Sequence, residues 1–170
     1  MMRMKTRYCA GLLVVALAAG AWAQFIGDGS ERQLPGRTQA VEFLYPEQVT
    51  VPAGKTTKVL LHFRVAPGLH INSHAPHDKF LIPTMFSMPA DKGVRLESVA
   101  YPPGVEFALP AEPKTKLNVY TGEFALEAKM VAEPGNHLVE AKLRYQACDQ
   151  SECMPPKTIP VAVEVLGARF

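Results

Sequence analysis

Along residues 139–145 the chain sets Val139, Ala141, Leu143 and Tyr145 against Glu140, Lys142 and Arg144, apolar and charged side chains in alternation. A period of two places successive side chains on opposite faces of an extended strand, so that one face is buried and the other solvated. From Val41 onward most of the chain reads this way, in segments such as AVEFLYP, TTKVLLHFRV, KFLIPTMFSMP, VRLESVAYPP and KTIPVAVEVLG. Turn signals separate them at Pro52 to Gly54, Pro67-Gly68, Asp91 to Gly93, Pro102 to Gly104 and Pro134 to Asn136. Fifteen prolines argue against long helices, because an interior proline removes a hydrogen bond and clashes with the preceding turn. GEFALEAKMVAE is rich in Ala and Glu, yet among such neighbours it too reads as a strand. The expected fold is all-β, an immunoglobulin-like antiparallel β-sandwich of seven to nine strands over residues 41–167. The Cys…Trp…Cys signature of antibody domains is absent.

The N-terminal residues are expected to lie outside that fold. Arg3, Lys5 and Arg7 precede an apolar run from Ala10 to Gly20, and Ala21-Trp22-Ala23 offers an A-x-A cleavage site. That is the layout of a secretory signal peptide over residues 1–23, and the run is short against the roughly 20 residues of a spanning helix. Residues 24–40, polar and Gly-rich, read as a flexible leader. Cleavage removes three of the 18 basic residues and leaves 15 against 16 acids, a net charge of −1. A near-neutral chain without basic runs is a poor ligand for nucleic acid, whose binding rests on phosphate neutralisation. No membrane insertion is expected after cleavage. Cys9 and Trp22 leave with the signal, so two cysteines remain in a compartment where disulfides persist.

Those two, Cys148 and Cys153, sit in YQACDQSECMPP with four residues between them. Three chemistries are open to them. As a staple, a bridge closing so short a loop contributes roughly 2 kcal/mol in the chain-entropy model, against about 4.7 for a 100-residue loop. As a metal clamp, they would join His70, His74 and His77 of HINSHAPH, ligands that copper and zinc accept, but no conventional finger or blue-copper spacing is present. As a redox couple, they need a bond that opens without unfolding the domain and that a partner's thiolate can reach. Asp149 and Glu152 beside them disfavour thiolate formation, with Lys157 as a partial offset.

The stretch Tyr145-Gln146-Ala147-Cys148, four residues, then Cys153-Met154-Pro155-Pro156 closely resembles the active-site segment of the N-terminal periplasmic domain of DsbD, a thiol:disulfide interchange protein. GLHINS, PPGV at Pro102 to Val105 and Val119-Tyr120 extend the likeness more loosely over Val41 to Val165. The resemblance implies an immunoglobulin-like fold and a dithiol that passes electrons to or from thioredoxin-fold periplasmic proteins through a mixed disulfide, a chemistry tied to cytochrome c maturation. It implies that Cys153 attacks or is attacked, that Cys148 resolves, and that no metal or organic cofactor takes part. It further implies a cap over the pair, drawn from Val105 to Tyr120 with Phe107 or Leu109 as the shield. Where the family places tyrosines near the pair, this chain has His70 and Asn72; Tyr145, Asp149 and Glu152 complete the expected neighbourhood. The spacer between the cysteines is one residue shorter than the family's. Because the chain stops at Phe170, a stand-alone module of a protein-disulfide reductase system is expected, served by a separate membrane thiol reductase. Independently of the resemblance, the rigid Pro155-Pro156 after Cys153 is expected to hold that end of the loop outward, leaving Cys148 the more enclosed.

The alternatives are a non-enzymatic binding or assembly module whose disulfide is structural, and a copper- or zinc-binding module. Ser73 and Ser87 do not make a hydrolase, since no G-x-S-x-G elbow is present. His62 and the methionines Met85, Met88, Met130 and Met154 read as packing, and Phe43, Tyr45, Phe63, Phe80 and Phe86 as core.

Overall fold

The computed structural model describes residues 39–90, 93–110 and 112–169, apart from the Glu112 side chain. The expected signal peptide and almost all of the leader lie outside them. The described residues form twelve strands and no helix. The first four are β1 (Val41–Tyr45), β2 (Gln48–Pro52), β3 (Thr57–Val65) and β4 (His70–Asn72). The next four are β5 (Met85–Ser87), β6 (Val94–Ala100), β7 (Val105–Leu109) and β8 (Glu112–Tyr120). The chain closes with β9 (Glu123–Ala132), β10 (Gly135–Tyr145), β11 (Ala147–Cys148) and β12 (Lys157–Ala168).

Three four-stranded sheets result, in the orders β1-β3-β9-β6, β2-β12-β10-β5 and β11-β4-β8-β7. The fold is the immunoglobulin-like β-sandwich that the alternation predicts. The number of strands exceeds the expected seven to nine, the surplus coming from short elements such as β5 and β11. All pairings are antiparallel except β2 with β12, which is parallel.

The longest ladder joins β10 and β12, from Gly135 opposite Gly167 to Tyr145 opposite Lys157. Along it Val139, Ala141 and Leu143 lie opposite Val163, Val161 and Ile159, all buried. Facing them across the sandwich are Val59, Leu61, Phe63 and Val65 of β3 with Leu126, Ala128 and Met130 of β9. Burial at about 25 cal/mol per Å² of apolar surface makes this the main stabilising term. Pro160 is tolerated inside β12 because β2 pairs only with Glu164–Ala168, which leaves one side of the strand at Pro160 without a ladder partner.

The GEFALEAKMVAE segment is strand β9, as its neighbours suggested. Other expectations change. Ala40, assigned to the leader, is buried in the core, and its carbonyl accepts the Ala66 amide. Within KFLIPTMFSMP only Met85–Ser87 is a strand. Phe80, expected in the core, is 81% exposed with Lys79 Nζ 5.3 Å from its ring centre, and Tyr45 is half exposed against His62. Met85 is likewise exposed.

Candidate active site

Cys148 ends β11, the shortest strand, which exists because Ala147 lies opposite Ile71 and Cys148 opposite His70 on β4. Residues directly opposite in an antiparallel pair project to the same face. Ala147 and Ile71 enter the main core, so Cys148 and His70 occupy the other face. On its far side Cys148 bridges to Cys153, and the two sulfurs form a disulfide. Cys153, Cys148 and His70 therefore make one lateral row across three adjoining backbone segments.

The loop between the cysteines is organised by Asp149. Its Oδ1 accepts the Ser151 amide at 2.7 Å, the Ser151 hydroxyl at 2.8 Å and the Glu152 amide at 2.9 Å. These hydrogen bonds hold its carboxyl below the usual carboxylate range, with the amides of Ser151 and Glu152 the largest causes. The Asp149 amide donates to the Glu152 carbonyl, and the Met154 amide donates to the Ala147 carbonyl, which closes the loop onto β11. The outcome is asymmetric. Cys148 is 2% exposed, whereas Cys153 is open to solvent.

His70 is as enclosed as Cys148, also 2% exposed. Its Nε2 has no hydrogen-bond partner among the described residues. Burial pushes its pKa down, with the Asp149 charge pulling weakly the other way. The Phe107 ring lies 4.4 Å from the imidazole, centre to centre. Phe107 belongs to the β7–β8 hairpin, the segment expected to form the cap, and β8 is tied to β4 through Val119 opposite Asn72 and Tyr120 opposite Ile71. The hairpin and the cysteine strand are thus parts of one sheet. Leu109, the other expected shield, is half-buried near the hairpin turn, opposite Glu112. Beside the row, His70, Phe107 and Gln150 line a cleft of about 510 Å³ with Arg64, Leu69 and Glu123.

The remaining expected neighbours play other parts. Asn72 is buried, and its Nδ2 donates to the Ile82 carbonyl and to Gln146 Oε1. Tyr145 is buried in the main core at the end of β10, where desolvation raises its pKa. Glu152 is exposed and contributes its backbone to the loop. Gln146 was not singled out by the sequence. Its amide accepts from Asn72 Nδ2 at 3.3 Å and the Ile82 amide at 3.4 Å, and donates to the Met154 carbonyl at 3.3 Å. It braces the segment after Cys153 against β4, and only its place inside YQAC could have drawn attention to it.

The three histidines of HINSHAPH diverge. His70 faces the cysteines, His74 stacks on Tyr101 at 3.7 Å with Nδ1 at the Thr84 carbonyl, and His77 pairs with Glu106. Among the described residues no three His, Cys, Asp or Glu side chains gather as a metal-binding group.

Residues 40–164 match the family described as thiol:disulfide interchange protein DsbD, N-terminal. Among solved structures, the chain is similar to the n-terminal domain of Neisseria meningitidis DsbD in the reduced form. The identity is 18%, over 64% of this chain and 77% of that one, with a TM-score of 0.44. No curated protein matches the chain by sequence.

Proposed function

The chain belongs to the family of DsbD N-terminal domains, and from that premise we propose that it is an extracytoplasmic thiol–disulfide exchange module working through Cys148 and Cys153. The observation that carries the reading is the unequal burial of a bonded pair, one sulfur enclosed and the other at the surface. Exchange proceeds when a thiolate attacks along a reachable sulfur, so Cys153 is the point of contact and Cys148 the resolving group.

In the electron-donating direction the Cys153 thiolate attacks one sulfur of a partner disulfide and expels the partner's second sulfur as a thiolate. Cys148 then attacks Cys153, releases the partner's remaining sulfur and regenerates the intramolecular disulfide. Two electrons and two protons have moved to the partner. The partners are thioredoxin-fold proteins of the periplasm, including those of cytochrome c maturation, and a separate membrane thiol reductase returns the pair to the dithiol. The signal peptide of residues 1–23 delivers the chain there. Phe107, on the hairpin beside the pair, packs on His70 and shields the enclosed Cys148 side, while Cys153 stays open to the partner.

Equilibration of the pair against glutathione or dithiothreitol redox buffers tests this reading. A working couple has a potential above about −300 mV; a value well below that belongs to a structural bridge and would reject the exchange function.

A further inference from the structure

The mechanism above leaves His70, the buried titratable group opposite Cys148, without a task. His70 is enclosed, carries an Nε2 with no hydrogen-bond partner among the described residues, and stands opposite the resolving cysteine on the same face of the sheet. A buried polar atom without a partner carries a desolvation cost that packing alone does not repay. An apolar residue would fill the space under Phe107 without that cost. In the oxidised state the neighbouring sulfur of Cys148 is in a disulfide and has no proton to offer. In the reduced state it is a thiol, and resolution requires that proton to leave.

We propose that His70 is the proton acceptor for Cys148 in the resolving step. The inference rests on the exchange reading and adds to it a residue for which the oxidised pair has no use. Once Cys153 is joined to a partner sulfur, the Cys148 thiol passes its proton to the His70 imidazole. The resulting thiolate attacks Cys153 Sγ; the Cys148–Cys153 bond forms, and the bond from Cys153 to the partner sulfur breaks. The partner leaves as a thiolate and takes up a proton, and the imidazolium releases its own to solvent. When the pair is reduced, the Cys148 sulfur regains a proton from solvent by way of the same imidazole.

Charges around the imidazole suit this exchange. Asp149, from the loop after β11, carries a charge that favours the imidazolium. Arg64 and Glu123, which share the cleft with it, are paired to each other at 2.7 Å and largely cancel. Phe107 covers the ring and keeps water away. Burial holds the resting histidine neutral, the form that accepts a proton.

The test uses the reduced protein and an aromatic disulfide, 5,5′-dithiobis(2-nitrobenzoate), followed by stopped flow. Attack by Cys153 releases one thionitrobenzoate in a phase that depends on reagent concentration. Resolution by Cys148 releases the second in a phase that does not. His70→Gln is expected to slow the second phase about tenfold or more at pH 7, as loss of a general base does, and to leave the first within about twofold. The wild-type second phase should level off once pH exceeds the histidine ionisation, which burial places below its ordinary value of about 6.5. In the variant it should keep rising about tenfold per pH unit up to the thiol ionisation near 8.5, as the thiolate fraction does. Equal second-phase rates in both proteins would overturn the proposal. So would a wild-type rate that climbs without a plateau, a result that needs no variant to fold. Because the reagent is a small molecule, failure to react with thioredoxin-fold proteins would count against the exchange reading and leave this comparison intact.

Discussion

His70 and Cys148 stand opposite each other on β4 and β11, and Cys153 continues the same row on the far side of Cys148. One sulfur is thereby walled in by an imidazole that itself lies under the Phe107 ring, while its bonded partner faces solvent.

The fold should outlast the bond. The main core is assembled from β3, β9, β10 and β12, and neither cysteine belongs to it. Reduction should lower stability to urea by about 2 kcal/mol, the entropic value of a short loop, and leave the far-ultraviolet circular dichroism of the strands unchanged. Loss of the β signal on reduction would mean that the bridge is a structural staple.

Phe107 contacts His70 rather than being required to cover Cys153, which is already exposed. Phe107→Ala should therefore act on the enclosed sulfur. In a Cys153→Ser background, alkylation of Cys148 by iodoacetamide should accelerate several-fold. An unchanged rate would remove Phe107 from the shield and leave Leu109 as the remaining candidate on the hairpin.

Asp149 holds the loop only as a carboxylate. Its folded pKa is depressed by hydrogen bonds from Ser151 and Glu152, so the tie is complete above the unfolded value near 3.9 and is lost as pH falls through the depressed one. Amide-exchange protection factors at Ser151 and Glu152 should be flat from pH 5 to 8 and fall only once pH drops below the ordinary carboxylate value near 3.9. Asp149→Ala should lose that protection at every pH. Equal protection in the variant would show that the loop is held by its backbone alone.

The sandwich was legible because alternation is a local signal. Val139 to Tyr145 and Ile159 to Val165 announce their buried faces without knowledge of their partners. Pairing is not local, so the parallel contact of β2 with β12 left no trace in either segment. Alternation also misled at KFLIPTMFSMP, where side-chain ties replace a ladder: Thr84 Oγ1 donates to the Asn72 carbonyl, and His74 and Asn72 bind the Thr84 and Ile82 carbonyls. That leaves Phe80 outside. The cysteine pair was legible from its flanking residues, and His70 as a neighbour from the resemblance. The imidazole's enclosure by Phe107 depends on how a hairpin 37 residues further along folds back, which no window of sequence contains.

The central claim is that Cys153 meets the partner and Cys148 resolves, and trapping each mixed disulfide tests it most directly. Reduced Cys148→Ser and Cys153→Ser variants are mixed with an oxidised thioredoxin-fold protein, quenched with acid and read by non-reducing electrophoresis and mass spectrometry. Cys148→Ser should accumulate a stable one-to-one adduct through Cys153, and Cys153→Ser should accumulate far less because its remaining sulfur is enclosed. The reverse pattern would contradict the assignment of roles, and the absence of adduct from both variants would contradict thiol–disulfide exchange itself.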